Sequence, residues 1–301
     1  MAPVSFGLCN SYYWEGEFRK IVNIIPRVID LLEKTQREHE FFGMDANIYS
    51  LLEGCYGSSL GILGEFTKGK QSCEKAISFA HKINHLFSIG IAELNYVGLL
   101  VTKGDGENTV KHAQSSIEYL EKSQAVIYLP LSWSCLGYGY FFLGELETAL
   151  KFLKKGLKMQ METAFPVPIF HWFLAFAHCD LGNLNEAKVH AEQALNLAQT
   201  SHQKYWEGLS GIQLGRILGK MEGSQLRRAE EHILKGMKIL DELETKPLYA
   251  QGYLFLGDLY ADAGQKEKAI ENLRKAEAMF QKMGMDYWLA RTKRLLEMVR
   301  I

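Results

Sequence analysis

Apolar residues recur at helical spacing along the whole chain, and glycines interrupt the pattern at regular distances. After Gly144, for example, Ala149, Leu150, Leu153 and Leu157 fall at i, i+1, i+4 and i+8, which places them on one face of a helix. The alternation of apolar and polar residues that marks half-buried strands is absent. The pattern therefore predicts helices throughout, with turns at the glycines.

The helical pattern repeats about every 40 residues. Residues 133–156 and 253–276 share seven positions at identical spacing. These positions are Trp133, Leu136, Gly137, Tyr140, Gly144, Ala149 and Gly156 in the first segment, and Tyr253, Leu256, Gly257, Tyr260, Gly264, Ala269 and Ala276 in the second. Turn glycines of other copies are Gly64, Gly104 and Gly182. Each period predicts two helices, with the glycine ending the first one in a left-handed conformation.

This order of residues resembles the tetratricopeptide repeat, in which small residues allow close helix packing and large ones fill the gaps. The period is about 40 residues instead of about 34, and the proline that usually closes the second helix is absent, so the second helices should run longer. Repeats of this length resemble the C-terminal helical arms of bacterial signalling ATPases, among them maltose-activator-like regulators and ATPase-linked nucleotide cyclases. That resemblance implies a regulatory arm cut from a longer protein, whose upstream module would carry any enzymatic activity.

One helix pair cannot bury its apolar face alone, so the pairs must stack. We expect an all-α, right-handed superhelix of about seven helix pairs in a single domain spanning residues 1–301. An incomplete repeat would occupy residues 1–40, six repeats residues 41–284, and a capping helix residues 285–301. The amphipathic C-terminal segment is also compatible with a helix that binds a partner or a membrane, but the open end of the last repeat favours a cap.

Composition excludes several classes of function. The formal net charge is −1, and no basic or acidic block suggests nucleic acid or an anionic membrane as a partner. The five cysteines are odd in number and widely spaced, which indicates reduced thiols in the cytoplasm and no metal site or disulfide framework. His171 and His178, beside Cys179, could be metal ligands or packing residues, and their place in the repeat favours packing. We expect no cofactor.

One stretch, "LGEFTKGKQS", nearly matches a phosphate-binding loop. Gly64, Gly69 and Lys70 fit the motif, but Gln71 replaces the required Ser or Thr, and the preceding segment is predicted to be a helix instead of a strand. The repeat explains both glycines, since Gly64 occupies the turn and Gly69 a small-residue position. Because no catalytic constellation stands out either, we predict that the protein is not an enzyme.

The resemblance also implies a set of positions that line the concave groove of the superhelix. In the middle repeats these positions carry aromatic residues, namely Tyr138, Phe141, Phe142, Trp172 and Phe176. Further along they carry the charged residues Arg216, Lys220, Asp258 and Asp262, and towards the N-terminus Gly54, Ser58, Gly61, Gly98 and Thr102. The leading hypothesis is a scaffold that binds a protein or peptide segment on the aromatic surface, with the charges selecting its orientation. The alternatives are a sensor arm for a small-molecule inducer, and aromatic residues that only pack on facing helices.

Overall fold

In the computed structural model, residues 2–163, 167–221 and 225–300 are described. These residues form fifteen α-helices and one 3-10 turn, and no strand occurs among them. The α-helices are α1 (Ala2–Glu15), α2 (Phe18–Lys34), α3 (Ile48–Ile62), α4 (Phe66–Lys82), α5 (Leu86–Lys103), α6 (Gly106–Lys122), α7 (Leu129–Phe142), α8 (Leu146–Met161), α9 (Pro168–Asp180), α10 (Leu184–Thr200), α11 (Lys204–Lys220), α12 (Leu226–Glu242), α13 (Lys246–Asp262), α14 (Lys266–Met283) and α15 (Asp286–Arg300). The 3-10 turn is Val126–Tyr128. Seven antiparallel pairs, α1/α2 to α13/α14, therefore stack into a superhelix that α15 extends.

The turn inside each helix pair has the geometry that the glycine pattern predicts. The backbone φ angles are +89° at Gly64, +85° at Gly104 and +80° at Gly144, with +79° at Gly182 and +71° at Gly264. Glycine adopts this left-handed region at little steric cost, and the amide of the next residue can then bond back to the end of the first helix. The residue after Gly64, Glu65, donates its amide to Leu60 in this way at 2.8 Å.

The turn between successive pairs uses the same backbone geometry without glycine. Gln36, Asn84, Gln124, His202 and Glu244 each lie two residues beyond the end of a second helix, with φ between +51° and +58°. Apart from Gly, Asn and Asp, few residues adopt positive φ angles. Packing between neighbouring repeats therefore holds these turns in place. Nothing in the repeat pattern predicts them.

Within a pair, the two helices contact each other through small residues. A Cβ atom on Gly57 of α3 would stand 2.4 Å from Cys73 Sγ and 2.6 Å from the carbonyl oxygen of Gly69, both on α4. The helices of another pair are equally close, since a Cβ atom on Gly215 of α11 would stand 2.5 Å from the carbonyl oxygen of Ala229 on α12. We call these intra-pair contacts the seams. They explain the small residues that define the repeat.

The first helices of the pairs turn inward and the superhelix closes on itself. Tyr205 of α11 packs on Phe18 of α2, with ring centroids 5.0 Å apart, although the two residues are far apart in sequence. A Cβ on Gly64 would stand 3.0 Å from Met283 Sδ of α14, and one on Gly104 would stand 2.9 Å from Trp288 Nε1 of α15. The last repeats thus touch the first ones, and the concave face becomes an interior.

Two sequence features find their place in this stack. Gly69 and Lys70 lie inside α4, and α3 precedes that helix, so the near-match to a phosphate-binding loop is a helix-turn-helix seam. α5 is the one helix of the described chain whose length and composition would suit a membrane span, but 67% of it is buried in the stack, as in a core helix. Such a helix is weak support for a membrane segment.

Candidate functional site: the axial cavity

The five aromatic residues predicted for the groove come together on the inward faces of α7 and α9. The ring of Tyr138 lies 5.1 Å from Phe141, 4.8 Å from Phe142, 5.6 Å from Trp172 and 5.9 Å from Phe176, measured between centroids. They are neighbours because residues three and four apart share a helix face. The aromatic positions that the resemblance implied for the groove therefore form one three-dimensional cluster.

The cluster is buried instead of forming an open surface. Each of the five side chains is at most 7% exposed, and α15 covers them from the C-terminal side. Tyr287 lies 4.8 Å from Phe142, and Trp288 lies 6.0 Å from Phe176. In this conformation the aromatic residues pack on one another and on α15, and their role in binding stays a prediction.

A partly open cavity of about 210 Å³ lies on the axis of the superhelix beside this cluster. Every first helix of a pair contributes to its wall, together with Tyr128 and α15. The lining residues include Asn10, Tyr13, Trp14, Cys55, Ser58, Asn95, Gly98, Thr102, Tyr128, Cys135, Tyr138, Trp172, Phe173, Trp206, Gln251 and Trp288. Asn10, Trp14 and Tyr128 are exposed, so the wall meets solvent on that side.

Two of the nine predicted site residues, Tyr138 and Trp172, line the axial cavity, while the other seven do not. Of the five positions expected at the N-terminal end of the groove, Ser58, Gly98 and Thr102 also line it, while Gly54 and Gly61 do not. The sequence analysis missed the contributions of α1, of the first turn of α11 and of α15. Tyr13, Trp206 and Trp288 are aromatic residues in predicted helices, but only closure of the superhelix brings them to the axis.

The wall of the axial cavity is electrically neutral. Its lining includes no Asp, Glu, Lys or Arg from the described residues. Burial raises the pKa of the Cys55 and Cys135 thiols to about 12, and burial also raises the pKa of Tyr13 to about 12 against the lowering effect of its hydrogen bond with Ser58. All three groups therefore keep their protons at neutral pH. The cavity suits uncharged, largely apolar chemical groups.

The predicted charged residues form ion pairs within the protein. Arg216 Nη2 donates to Asp180 Oδ1, and its guanidinium lies between the rings of Phe176 and Phe255, 4.8 and 4.7 Å from their centroids. Arg291 of α15 donates to both oxygens of Asp180, at 2.8 and 3.1 Å. Burial alone would raise the pKa of Asp180, but the two guanidiniums outweigh it and hold the pKa well below its usual range.

The remaining charges lie at the edge of this group. Lys220 Nζ contacts a carboxylate oxygen of Asp258 at 2.9 Å and one of Asp262 at 3.2 Å. Asp258 is buried, Lys220 is partly exposed and Asp262 is exposed. Asp180 and Arg291 are the partners that the sequence analysis did not identify. Their pairing spans 111 residues, so no local pattern predicts it.

The histidines that raised the question of a metal pack in the seam between α9 and α10. His171 Nδ1 lies 2.9 Å from His190 Nδ1, and the ring of His178 stacks on that of His190 at 5.7 Å. Burial lowers the pKa of all three, that of His190 to about 4 with help from its two histidine neighbours. Among the residues with described positions, no three His, Cys, Asp or Glu side chains are arranged to hold a metal ion.

Comparison with known proteins identifies the class of the fold. The family model of the tetratricopeptide repeat matches residues 250–282, within α13 and α14. No curated protein sequence matches the chain. The fold is that of tetratricopeptide-type helical-repeat proteins.

Solved structures share this fold at low sequence identity. A Rap protein complexed with Competence and Sporulation Factor has a TM-score of 0.69 and 14% identity, covering 99% of this chain and 85% of its own. The apo form of RapI has a TM-score of 0.66 and 13% identity, covering 94% and 98%. A signal transduction ATPase with numerous domains and a tetratricopeptide repeat sensor, from Pyrococcus horikoshii, has a TM-score of 0.53 and 18% identity, covering 91% and 42%. At these identities the likeness establishes the fold alone.

Proposed function

We propose that the protein is a non-catalytic interaction module of a cytoplasmic regulator, and that it binds a protein or peptide segment by taking one of its apolar side chains into the axial cavity. The observation that carries this proposal is the cavity itself. A neutral, mostly apolar space bounded by helices from every repeat is a feature that packing of the seams does not require, and it supports a binding role.

The size of the cavity favours a side chain over a complete small ligand. Pockets for drug-sized molecules usually enclose about 300–1,000 Å³. An apolar cavity of about 150 Å³ already admits a benzene molecule. At about 210 Å³, the axial cavity fits one aromatic ring with a short substituent.

The polar part of the wall suits the backbone of such a segment. Asn10, Asn95 and Gln251 contribute side-chain amides, which offer both donors and acceptors as peptide groups do. Asn10 lies on the exposed side of the wall, where a chain would continue away from an inserted side chain. The Rap protein that shares the fold was solved in complex with Competence and Sporulation Factor, which supports a protein or peptide as the partner class.

Short model peptides test this function. Acetylated and amidated Gly-Gly-X-Gly-Gly peptides, with X as Tyr, Trp, Phe or Ala, would be titrated while the melting temperature is followed. We expect the aromatic peptides to raise the melting temperature with the logarithm of their concentration. The stabilisation reaches about 2.7 kcal/mol at one hundred times Kd. The Ala peptide should have no effect.

A cavity-filling variant supplies the control. Cys135 lines the cavity and is buried, so Cys135→Met extends a side chain into the space that the ligand needs. This variant should fold and lose the response to aromatic peptides. Equal effects of the Ala and aromatic peptides, or an undiminished response in Cys135→Met, would count against the proposal.

The second candidate function is a sensor arm for a small-molecule inducer, and the apolar cavity within the superhelix favours it. A low-molecular-weight compound that stabilises the native protein but not Cys135→Met, in the absence of any effect of the peptides, would support the sensor. Stabilisation by the aromatic peptides, without any effect of low-molecular-weight compounds, would instead support a protein segment as the occupant. Turnover of a substrate by the isolated chain would contradict both functions.

A further inference from the structure

The three consecutive apolar residues of the 3-10 turn are exposed to solvent. Val126 is 67% exposed, Ile127 66% and Tyr128 39%. Single exposed apolar residues are ordinary on a protein surface, whereas a contiguous apolar patch marks a site of interaction. The seams lie inside the helix pairs, so their packing does not account for this run.

The equivalent turns show that the backbone does not require apolar residues here. The turns before α5, α7, α11 and α13 each contain one non-glycine residue with positive φ. Two positions after it stand, in this order, Leu86, Val126, Lys204 and Lys246, and all four side chains are exposed. The turns before α11 and α13 keep the same geometry with a lysine. The apolar residues before α5 and α7 therefore serve something other than the turn.

These two apolar turns lie side by side and form one surface. The ring of Tyr128 packs on that of Phe87, with centroids 5.8 Å apart. An open groove runs between the turns, and its apolar lining consists of Leu86, Phe87, Ala125, Val126 and Ile127. We call Leu86, Phe87, Val126, Ile127 and Tyr128 the rim patch.

The rim patch is continuous with the axial cavity. Tyr128 belongs to both, because it lines the cavity and is also exposed. The corresponding residues of the turns before α11 and α13, Trp206 and Leu248, line the cavity as well. The starts of the first helices thus build this part of the wall. Val126 and Ile127 directly precede the wall residue of their own turn and lie just outside it.

We infer that the rim patch binds a second apolar side chain of the segment whose first apolar side chain enters the axial cavity, and that the second residue lies two positions from the first. This inference rests on the proposed function. It specifies the partner as an extended segment in which two apolar residues flank one residue of any type.

The spacing follows from the geometry of an extended chain. Alternate side chains of such a chain point to the same side, and residues two positions apart are about 6.6 Å from each other. A 3-10 helix rises only about 2.0 Å per residue. Val126 and Ile127 are therefore within reach of a side chain two positions from one that is inserted beside Tyr128.

The charges of the groove favour an apolar side chain over an acidic one. Among its described lining residues the groove has the carboxylate of Asp45 and neither Lys nor Arg. An acidic side chain would therefore meet a like charge and no counterion. An apolar side chain would remove its own surface and that of Val126 and Ile127 from water, which is favourable.

Peptides with one tryptophan test the inference, and calorimetric titration measures their affinities. All are acetylated and amidated. Gly-Gly-Trp-Gly-Leu-Gly-Gly and its reverse-order counterpart Gly-Gly-Leu-Gly-Trp-Gly-Gly are compared with the same peptides carrying Ser in place of Leu. In one of the two directions we expect the Leu peptide to bind about tenfold more tightly than its Ser counterpart. Leu directly beside Trp should give no gain, because neighbouring side chains point to opposite sides.

Matched variants assign the gain to the rim patch. Val126→Lys introduces the residue that the turns before α11 and α13 carry, so it should fold and melt at the temperature of the native protein. It should reduce the affinity of the Leu peptide to that of the Ser peptide. Val189→Lys, at a 53% exposed position of α10, should retain the tenfold difference. Cys135→Met should abolish binding of every peptide.

Each other outcome has a defined meaning. If no peptide binds the native protein, the proposed function and this inference are both overturned. If the Leu and Ser peptides bind the native protein equally, the inference is overturned while the proposed function stands. The same holds if Leu beside Trp gives an equal gain, or if Val126→Lys retains the difference. Dimerisation of the native chain that Val126→Lys abolishes, without any advantage of Leu, would assign the rim patch to a second copy and overturn the inference.

Discussion

The seams and the axial face are both buried, yet they are built differently. In the seam between α3 and α4, the backbones approach so closely that Gly57 has no room for a Cβ atom. On the axial face, the largest side chains of the protein surround a cavity of about 210 Å³. Interiors normally pack to the density of organic crystals, with few voids larger than a water molecule.

The difference shows what each region does for the protein. Small residues in the seams let two helices pack along their whole length, which stabilises every repeat in the same way. Aromatic residues on the axial face cannot fill the centre of a closed superhelix, because they project from helices whose distance from the axis is set by the stack. The seams stabilise every repeat in the same way, whereas the axial face leaves unfilled space at its centre.

The largest effect should come from the buried charges at the C-terminal end of the axial face. Asp180→Asn leaves Arg216 and Arg291 without their carboxylate, and removal of one partner of a buried pair usually costs about 3–5 kcal/mol. Urea denaturation measures the loss. Asp262→Asn, at the exposed end of the group, should cost less than about 0.5 kcal/mol. Similar losses in the two variants would show that α15 is not anchored through Asp180.

The same substitution in the two regions tests their difference in packing directly. Cys73 lies in the α3/α4 seam and is fully buried, so Cys73→Met should cost about 1–3 kcal/mol by overpacking. Cys135→Met directs its added atoms into the axial cavity and should cost less than about 1 kcal/mol. Equal free energies of unfolding for the two variants would mean that the cavity is not usable space.

Acid should weaken the seam between α9 and α10 before it affects the neutral cavity. The folded pKa of His190 is about 4, whereas an unfolded histidine titrates near 6.5. Between these values the unfolded chain binds more protons, so stability is complete above about pH 6.5 and falls as the pH drops towards 4. Because His190 is partly exposed, solvent screening reduces the effect of the full shift, and we expect a loss of about 2 kcal/mol in this window.

Replacement of the histidine should remove this dependence. His190→Gln should flatten the profile of unfolding free energy between pH 4 and 6.5, and His39→Gln, at an exposed site, should leave it unchanged. A native profile without slope in this window would contradict the packing of the histidine cluster.

The smallest effect concerns the reactivity of the cysteines. Because the pKa of Cys55 and of Cys135 is about 12, little thiolate forms at pH 8, and both should react slowly with Ellman's reagent in the folded protein. Cys73, held in the seam, should react more slowly still, since its exposure requires the two helices to separate. Peptide mass mapping of partially labelled protein gives the order. Labelling of Cys73 ahead of Cys135 would contradict the expectation that the seam opens less readily than the axial face.

Local pattern predicted much of the fold. The turn glycines, the small residues of the seams and the helix pairs follow from spacing, because each depends on contacts within one period of about 40 residues. The inward aromatic residues were also identified by register, and Tyr138 and Trp172 do line the axial cavity. The left-handed turns at residues such as Asn84 and Glu244 escaped prediction, because neighbouring repeats hold them in place.

The sequence by itself determined a stack of α-hairpins with aromatic residues on the inner face, since helical periodicity and small-residue contacts are short-range. Only the tertiary structure decided that this face is closed. Closure depends on the accumulated rotation of seven pairs, which brings α11 against α1, α13 against α3 and α5, and α15 against the turn at Gly104. Small angular differences at each seam add up over the superhelix, so no single repeat contains the information that turns an open groove into a cavity with one side open to solvent.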